Sequence, residues 1–397
     1  MTVRFRVRMR ARPIDEPHRV SSPLELLFDL TFVVAIAAVV AQLAHSIEEG
    51  HAHDAVVPFL QVFFAIWWAW MNFTWFASSY DTDDVVYRLT TMVQMAGALV
   101  LAAGVPAAAS HSDYKWITLG YLIMRLGLVS QWIRAGIEDP VSRTTAFRYA
   151  AGIALLQVFW IARLFLVDGA GPWTFLLLVV LELLVPVWAE RAAKTSWHPH
   201  HIAERYGLFV IIVLGESVLA ATTAVQDAVE SEHVSGTLIA VALCGLVLIF
   251  ATWWLYFLHP AGSGLADRRH RSYQWGYLHY GIFCSLAALG AGLEVSVAQA
   301  GHHLEASETT VAYAVAIPVS AFLILLHTVQ STISRYTITR RPAIAACALA
   351  VLLVPLATPA LTVTGVVAAI TGLVVLVTAA TIAWPADRAS IAGAGDS

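Results

Sequence analysis

The stretch from His198 to Ala220 reads HPHHIAERYGLFVIIVLGESVLA. Its polar, histidine-rich start is followed by an apolar run that is long enough to enter a lipid bilayer and that carries Glu216 near its middle. An isolated carboxylate at bilayer depth is energetically expensive and usually faces a protein interior or a watery cavity. The stretch therefore predicts a membrane-spanning helix in which Glu216 has a specific role.

The composition of the whole chain agrees with that prediction. Hydrophobic residues make up 59% of the 397 residues and charged residues only 13%, whereas soluble chains carry about 25% charged residues. Such a chain cannot cover its surface with polar groups, so most of it must face lipid.

The sequence also argues against several other features. The net charge of −4 gives no sign of nucleic-acid binding. The three cysteines lie in apolar runs and predict neither a disulfide framework nor a thiolate metal site. No cleavable signal peptide is expected, because the first 20 residues are polar and arginine-rich.

Twelve apolar segments have the length of membrane-spanning helices. About 20 residues of helix cross a hydrocarbon core, and a backbone in lipid must satisfy its own hydrogen bonds, so these segments are predicted to be helical. The predicted fold class is therefore all-α, a polytopic integral membrane protein. The predicted spans are 23–45, 57–79, 86–109, 115–136, 145–167, 172–193, 202–225, 235–258, 272–298, 310–330, 342–360 and 362–384.

The basic residues predict the orientation of these spans. If the N-terminus is cytoplasmic, all of the 23 lysines and arginines except Lys115, Arg125 and Arg163 fall on the cytoplasmic side. Cytoplasmic loops of membrane proteins carry an excess of lysine and arginine. The sequence therefore predicts a multi-pass protein of the bacterial cytoplasmic (inner) membrane with both termini in the cytoplasm.

An internal repeat divides the chain into two predicted halves. The motif FAIWW at 64–68 recurs 186 residues later as FATWW at 250–254, and the same offset pairs Gly104 with Gly290. Six predicted spans separate the copies, so the halves are expected to be parallel six-helix pseudo-repeats with the same orientation. The predicted organisation is an arginine-rich tail (1–22), a first half (23–193), a His-rich linker (194–201), a second half (202–384) and a C-terminal tail (385–397).

Three stretches combine charged and aromatic residues in a recognisable pattern. They are LELLFDLTFV at 24–33, the segment from Trp67 to Leu89 with its Asp81-Thr82-Asp83-Asp84 string, and Glu204-Arg205-Tyr206 through Leu214-Gly215-Glu216-Ser217. Together they resemble the bacterial low-temperature-requirement protein A (LtrA) family. The resemblance covers most of the chain and implies a polytopic membrane protein named for a cold-growth phenotype, without a settled molecular activity. A looser resemblance is to a potassium-channel family of six-helix repeats with a Phe-Ser-Asp motif, although Phe28-Asp29 here lacks the serine.

Four charged residues within the predicted spans are the candidate ion- or proton-binding groups: Asp29, Glu182, Glu216 and Arg125. Ionisable residues inside a membrane span are a functional hypothesis by default. Two interpretations stay open at this stage. In the first, the carboxylates bind a proton or cation, and Arg125 neutralises or exchanges with those carboxylates. In the second, a structural salt bridge joins Arg125 to Glu182 or Glu216.

A second group marks the starts of two predicted helices: Glu25, Glu204, Arg205 and Tyr206. Ser22-Pro23-Leu24-Glu25 has the spacing of a capping box with proline at the first helical position, which predicts that Glu25 caps its helix. Asp29 lies one turn deeper, where a cap does not explain it. Gly215 is predicted to leave room for the close approach of another helix.

The acidic string offers a further alternative. Its simplest interpretation is a solvated loop whose aspartates cap the next helix. In the alternative, Asp81, Asp83 and Asp84 hold Mg²⁺ or another metal ion. The His-rich linker also has plausible metal-ligand chemistry, although such loops are more often simply solvated. Its candidate ligands are His198, His200, His201 and Glu204.

These patterns predict a membrane transport protein, either a secondary transporter or an ion-conducting protein, that uses buried carboxylates. A membrane-embedded enzyme acting on a lipid or isoprenoid through the Asp-rich metal site is the alternative. A non-transporting sensor or lipid-interaction protein is a third. No cofactor is expected apart from a coupled proton or cation, with Mg²⁺ only for the enzyme. The expected partners are membrane lipid and a small solute or ion, without nucleic acid, and the sequence is compatible with a homo-oligomer.

Overall fold

The computed structural model describes residues 4–17, 19–165, 171–230, 235–301, 304–333 and 341–383. Within these ranges the chain contains helices and no strand, which confirms the predicted all-α fold class. The α-helices are α1 (Pro23–Glu48), α2 (Ala52–Tyr80), α3 (Val85–Ala103), α4 (Val105–His111), α5 (Lys115–Glu138), α6 (Arg143–Arg163), α7 (Gly171–Ala189), α8 (Pro199–Glu230), α9 (Gly236–Phe257), α10 (Ala261–Asp267), α11 (Ser272–Gly301), α12 (Glu308–Ile333), α13 (Arg341–Leu353) and α14 (Thr358–Ala383).

Ten helical segments in the described part of the chain are long and apolar enough to cross a membrane. The predicted count of twelve is not confirmed, for two reasons. Helix α5 occupies the predicted span 115–136 but carries charged residues and is not among the ten. Residues 342–383 count as one segment, although α14 is kinked at Thr362, where φ is +57°. Many large apolar side chains point outward, including Leu126 (60% exposed) and Leu376 (67% exposed), as a lipid-facing surface requires.

The helices form two compact units. The first unit comprises residues 1–39 and 57–206, and the second unit comprises residues 40–56 and 207–397. In the first unit α3 packs against α5, α5 against α6, and α6 against α7. In the second unit α11 packs against α12, α12 against α13, and α9 against α14. Several consecutive helices are thus neighbours within each unit. The predicted pseudo-repeat and its domain boundaries stay predictions.

The two copies of the tryptophan motif have different surroundings. Trp67 and Trp68 are fully buried in the first unit, whereas Trp253 and Trp254 are 42% and 49% exposed in the second unit. The buried copy provides hydrogen-bond donors to the interior, since Trp68 Nε1 donates to a glutamate of α7. The exposed copy has the amphipathic character that tryptophan shows at membrane surfaces. Similar sequences therefore serve different purposes in the two units.

Glycines allow α3 and α5 to approach each other closely. A Cβ atom added at Gly120 would lie 2.4 Å from the backbone nitrogen of Leu101, and one added at Gly97 would lie 2.7 Å from the carbonyl oxygen of Gly120. The sequence suggested a close helix approach at Gly215, but the structure shows none there, because no described atom lies within 4 Å of a Cβ built at this residue. That prediction was wrong. A small residue permits the close approach of another helix, but the sequence does not show whether a helix lies next to it.

We expect Gly120→Ala to destabilise the protein by about 1–3 kcal/mol, because the new methyl group meets backbone that has to shift. Gly372→Ala is the matched control, since a Cβ there meets no described atom within 4 Å and alanine favours the helix. Thermal unfolding in detergent measures both changes. Equal melting temperatures for the two variants would show that α3 and α5 are not closely packed at Gly120.

Candidate functional site

A cluster of charged side chains lies buried where α1 and α8 begin. Arg205 donates from Nε to Asp29 Oδ2 at 2.9 Å and from Nη2 to Asp29 Oδ1, and its Nη1 donates to Glu25 Oε1 at 3.0 Å. Trp70 Nε1 donates to Asp29 Oδ1 at 2.7 Å. All three charged residues are at most 1% exposed. Both oxygens of Asp29 are therefore occupied by protein donors, in the bidentate geometry that guanidinium and carboxylate favour.

The local sequence explains how these side chains meet. Glu25 and Asp29 are four residues apart, which places them on one face of α1. The predicted capping box is confirmed: Ser22 N donates to Glu25 Oε2 at 2.7 Å, and Glu25 N donates to Ser22 Oγ at 3.3 Å. The other oxygen of Glu25 stays available for Arg205. Glu25 is thus both a helix cap and a member of the charge cluster.

The remaining residues of the Glu204-Arg205-Tyr206 motif contact other residues of the first unit. Glu204 Oε1 accepts a hydrogen bond from Ser21 N at 3.4 Å. Tyr206 is fully buried, and its hydroxyl oxygen accepts a hydrogen bond from Trp75 Nε1 at 3.1 Å. Its ring meets Trp70 edge to face at 5.0 Å between centroids. The motif therefore fixes the start of α8 by the ion pairs of Arg205 with Glu25 and Asp29 and by aromatic packing.

His201 extends the charge cluster in place of a metal site. Its Nε2 lies 3.0 Å from Glu25 Oε1, and both side chains are fully buried. His198 Nδ1 accepts a hydrogen bond from the backbone N–H of His201 at 3.3 Å. Among the described residues there is no group of three or more His, Cys, Asp or Glu side chains placed to hold a metal ion. In the described part of the chain, the linker histidines His198 and His201 therefore contact each other and Glu25, and the metal-binding alternative stays a prediction.

The N-terminal segment, residues 4–17 and 19–22, contacts the ends of α2, α3 and α5. Val85 N donates to Arg4 O at 3.2 Å, and Met9, which is fully buried, donates from its backbone N–H to Glu138 Oε2 at 2.6 Å. Arg12 N donates to Ser79 O at 2.9 Å. The sequence predicted only an arginine-rich tail. The structure shows instead a segment that is fastened across one end of the first unit.

Each aspartate of the acidic string pairs with a different arginine. Asp81 Oδ2 lies 3.2 Å from Arg12 Nη1 and 3.4 Å from Arg19 Nη2. Asp83 pairs with Arg88 at 2.7 Å. The third aspartate caps α3, where its Oδ1 accepts the backbone N–H of Tyr87 at 2.8 Å, and it pairs with an arginine of α5. Asp81, Asp83 and Asp84 thus point to separate partners, which does not favour the alternative Mg²⁺ site.

The buried environment changes the acidity of two of these groups in opposite directions. Burial, together with the negative charge of Glu25, raises the pKa of Asp81 to about 6, against the influence of Arg19 and Arg12. Burial also disfavours the charge of Asp84, but hydrogen bonds from Arg134 and from backbone N–H groups outweigh it and lower the pKa of that carboxyl. Asp84 therefore stays charged to lower pH than an ordinary aspartate, whereas Asp81 binds a proton at higher pH than an ordinary aspartate.

This difference predicts a pH dependence of stability. Because its pKa is raised in the folded state, Asp81 contributes stability that is fully present below its ordinary pKa near 4 and is lost as the pH rises through about 6. We expect the Asp81 contribution to fall by about 1 kcal/mol between about pH 5 and about pH 7.5. Thermal unfolding of the wild type and of Asp81→Asn at both pH values measures it. Asp83→Asn, which alters a half-exposed carboxylate, is the control. If Asp81→Asn shows the same change of melting temperature between the two pH values as the wild type, the raised pKa of Asp81 is not its cause.

A second buried pair lies deeper in the first unit, between α5 and α7. Arg125 Nη2 lies 3.8 Å from Glu182 Oε2 and donates to the hydroxyl of Tyr121. Glu182 accepts hydrogen bonds from Tyr121 Oη at 3.1 Å, Trp160 Nε1 at 3.1 Å and Trp68 Nε1 at 2.8 Å. Arg125 and Glu182 are each 1% exposed. The ion pair that the sequence left open for Arg125 is therefore formed with Glu182, and neutral donors satisfy the rest of that carboxylate.

Glu216 is different from the other carboxylates of the membrane-spanning helices. It lies on α8 with 7% of its surface exposed, and no hydrogen bond or ion pair joins it to any described residue. Within the second unit α11 approaches α8 next to it, where a Cβ built at Gly290 would be 2.7 Å from Ser217 Oγ. A buried carboxylate without a protein donor has no compensation for its lost hydration, so it gains by binding a proton or a cation.

Comparison with known proteins connects these motifs. A family model described as "Bacterial low temperature requirement A protein (LtrA)" matches residues 20–379, which include both charge clusters and Glu216. The chain belongs to the LtrA family. A protein of Rhizobium meliloti (strain 1021), described as uncharacterized, is 28% identical to this LtrA-family chain over 255 residues. The matched region is 62% of this chain and 59% of the relative, so the match spans less than two thirds of that relative's length.

Sequence reasoning missed several residues around the sites of this LtrA-family protein. Trp70 and Trp68 were not among the candidate site residues, yet each donates to a buried carboxylate. Arg19, whose guanidinium lies 3.7 Å from Glu25, was counted only as a cytoplasmic charge. One signal in the sequence could have pointed to these residues. A buried carboxylate needs a cationic or N–H partner, and a chain with few charged residues offers few such partners, so its arginines and tryptophans are the candidates.

Proposed function

We propose that this LtrA-family protein is a membrane transporter or ion-conducting protein that moves a proton or a small cation, and that Glu216 is the group that binds the ion. One observation carries the proposal: Glu216 is buried without a partner among the described residues. Asp29 is held by Arg205, and Glu182 lies between Arg125 and three neutral donors. The earlier assignment of all three carboxylates to ion binding thus narrows to Glu216, with Asp29 and Glu182 as supporting members of ion pairs.

The proposal includes a location. The protein would lie in the bacterial cytoplasmic membrane with both termini inside, because most of its basic residues then lie on the cytoplasmic side. The N-terminal segment and the acidic string would face the cytoplasm. The family description suggests that this transport supports growth at low temperature. The alternative, a lipid-modifying enzyme with an Asp-rich metal site, has less support, because each of those aspartates faces an arginine.

Flux measurements with the purified full-length protein in liposomes test the proposal. A pH-sensitive dye inside the vesicles reports proton movement, and cation-sensitive dyes report Na⁺ and K⁺, under an imposed gradient and membrane potential. We expect flux of at least one of these ions above that of protein-free liposomes. Protein-free and protein-containing vesicles that behave alike with all three ions would contradict the proposal.

A further inference from the structure

A small cavity lies in the first unit, at the end away from the N-terminal segment. It has a volume of about 30 Å³ and lies between α2, α5, α6 and α7. Tyr121 and Trp160 line it on one side, and Arg163, Gln61 and Tyr114 line it nearer the helix ends. A single water molecule needs about 10–15 Å³, so the cavity has room for only a few heavy atoms.

Two buried polar side chains lie one helical turn deeper than this cavity. The ring contact between Tyr121 and Trp160, at 6.1 Å between centroids, fixes the register of α5 against α6. These helices are consecutive and antiparallel, so Arg125, one turn beyond Tyr121, is at the level of Gln157, one turn before Trp160. The guanidinium carbon of Arg125 lies 4.4 Å from the centre of the Tyr121 ring. Arg125 and Gln157 are therefore both next to the rings that line the cavity.

Both of these side chains have polar atoms without partners. Nε and Nη1 of Arg125, and both the nitrogen and the oxygen of the Gln157 amide, make no hydrogen bond within the described residues. The two residues are only 1% and 5% exposed. An unsatisfied buried polar group costs about 1–3 kcal/mol, so a pair of side chains with several of them needs an explanation.

The charges and donors of the region favour an anion. Among the described residues of this region, Arg125 and Arg163 bring two positive charges against the one negative charge of Glu182, whose oxygens are already engaged by neutral donors. Nε of Arg163 is also buried without a hydrogen bond, and its guanidinium lies 5.5 Å from the ring of Tyr114. The free atoms are mostly N–H donors, with the Gln157 oxygen as the one free acceptor among those named. Guanidinium groups bind planar oxyanions such as carboxylates with good geometry.

We propose that the cavity and the Arg125–Gln157 pair behind it form a binding site for a small planar monovalent anion, a short carboxylate or nitrate. Arg163 attracts the anion towards the cavity, and Arg125 and Gln157 bind it. The rings of Tyr121 and Trp160 separate the cavity from Arg125, so they must move apart to admit the anion. The site lies within the first unit and does not depend on the role of Glu216.

The test uses full-length protein in detergent with formate or nitrate as the probe, at constant ionic strength balanced with gluconate, which is too large for the cavity. A ligand that binds only the folded state raises the melting temperature with its concentration. We expect such a rise in the wild type and an apparent dissociation constant at least about ten-fold weaker in Arg163→Gln. Arg148→Gln is the matched control, because Arg148 is on the same helix and also lies over an aromatic ring.

Gln157→Leu provides a second readout. It removes a buried amide without partners, so the melting temperature without anion should stay equal or rise, while the gain from formate should be lost. No gain from formate or nitrate over gluconate in the wild type would overturn the proposal and leave water as the occupant. A gain of unchanged size in both Gln157→Leu and Arg163→Gln would also overturn it, because the anion would then bind elsewhere.

Discussion

Replacing Arg205 by methionine should prevent recovery of folded protein. The substitution keeps much of the volume but leaves Glu25 and Asp29, both buried, without their shared cation. Breaking one buried ion pair from one side costs about 3–5 kcal/mol. Here Asp29 loses its cation, and Glu25 loses one of its partners and keeps Arg19 and His201. Folded proteins are stable by only about 5–15 kcal/mol, so a loss of this size is decisive. The fraction of monodisperse protein after detergent extraction, together with thermal unfolding, measures the effect.

A compensated variant separates charge from packing. Adding Glu25→Gln and Asp29→Asn to Arg205→Met removes the stranded charges and should restore most of the folded protein. Arg148→Met, which changes an arginine on an exposed part of α6, should stay close to the wild type. A normal melting temperature for the Arg205→Met single variant would show that the cluster does not stabilise the start of α8.

Glu216→Gln should show the opposite behaviour, with normal folding and lost transport. The amide keeps the shape and hydrogen-bonding capacity of the side chain but cannot hold a negative charge. A charge at mid-depth costs about 2.5–3.5 kcal/mol by insertion scales, and no described residue compensates Glu216, so its removal should leave stability unchanged or improve it. Ion flux should fall to the level of protein-free liposomes. Glu216→Asp, which keeps the charge on a shorter side chain, should retain part of the flux.

Glu204→Gln is the matched control for this prediction, because Glu204 is on the same helix and accepts only a long hydrogen bond from Ser21. Its flux should resemble that of the wild type. If Glu216→Gln instead yields little folded protein, the carboxylate is a structural partner of a cation, and its role in ion binding has to be abandoned.

Much of the fold could be predicted from the sequence, because lipid allows few alternatives for long apolar segments. The capping box at Ser22 and Glu25 was also predictable, since it depends on local spacing alone. The count of spans was less certain. Helix α5 carries charged residues that are buried inside the first unit, and it is not among the ten segments that are long and apolar enough to cross a membrane. The kink at Thr362 falls inside a continuous apolar segment, so the sequence does not show whether one span or two are present there.

The partners of the buried charges could not be predicted from one sequence. Arg205 and its partner Asp29 are 176 residues apart in the sequence, and Arg125 and its partner Glu182 are 57 residues apart. Only the tertiary fold therefore decides which cation pairs with which carboxylate. The N-terminal segment shows a signal that could have been used. Arginine alternates with other residues from Arg4 to Arg12, which is the period of an extended chain with one face buried, and Met9 is indeed buried.

The central claim is that Glu216 binds the ion that this LtrA-family protein transports. The most direct test compares electrical currents from equal amounts of wild-type and Glu216→Gln protein, reconstituted in proteoliposomes on a solid-supported membrane, after steps in pH, Na⁺ or K⁺. The account predicts a transient or steady current in the wild type for one of these ions and none in Glu216→Gln. Equal currents in the two proteins, or no current in the wild type with any of the three ions, would contradict it.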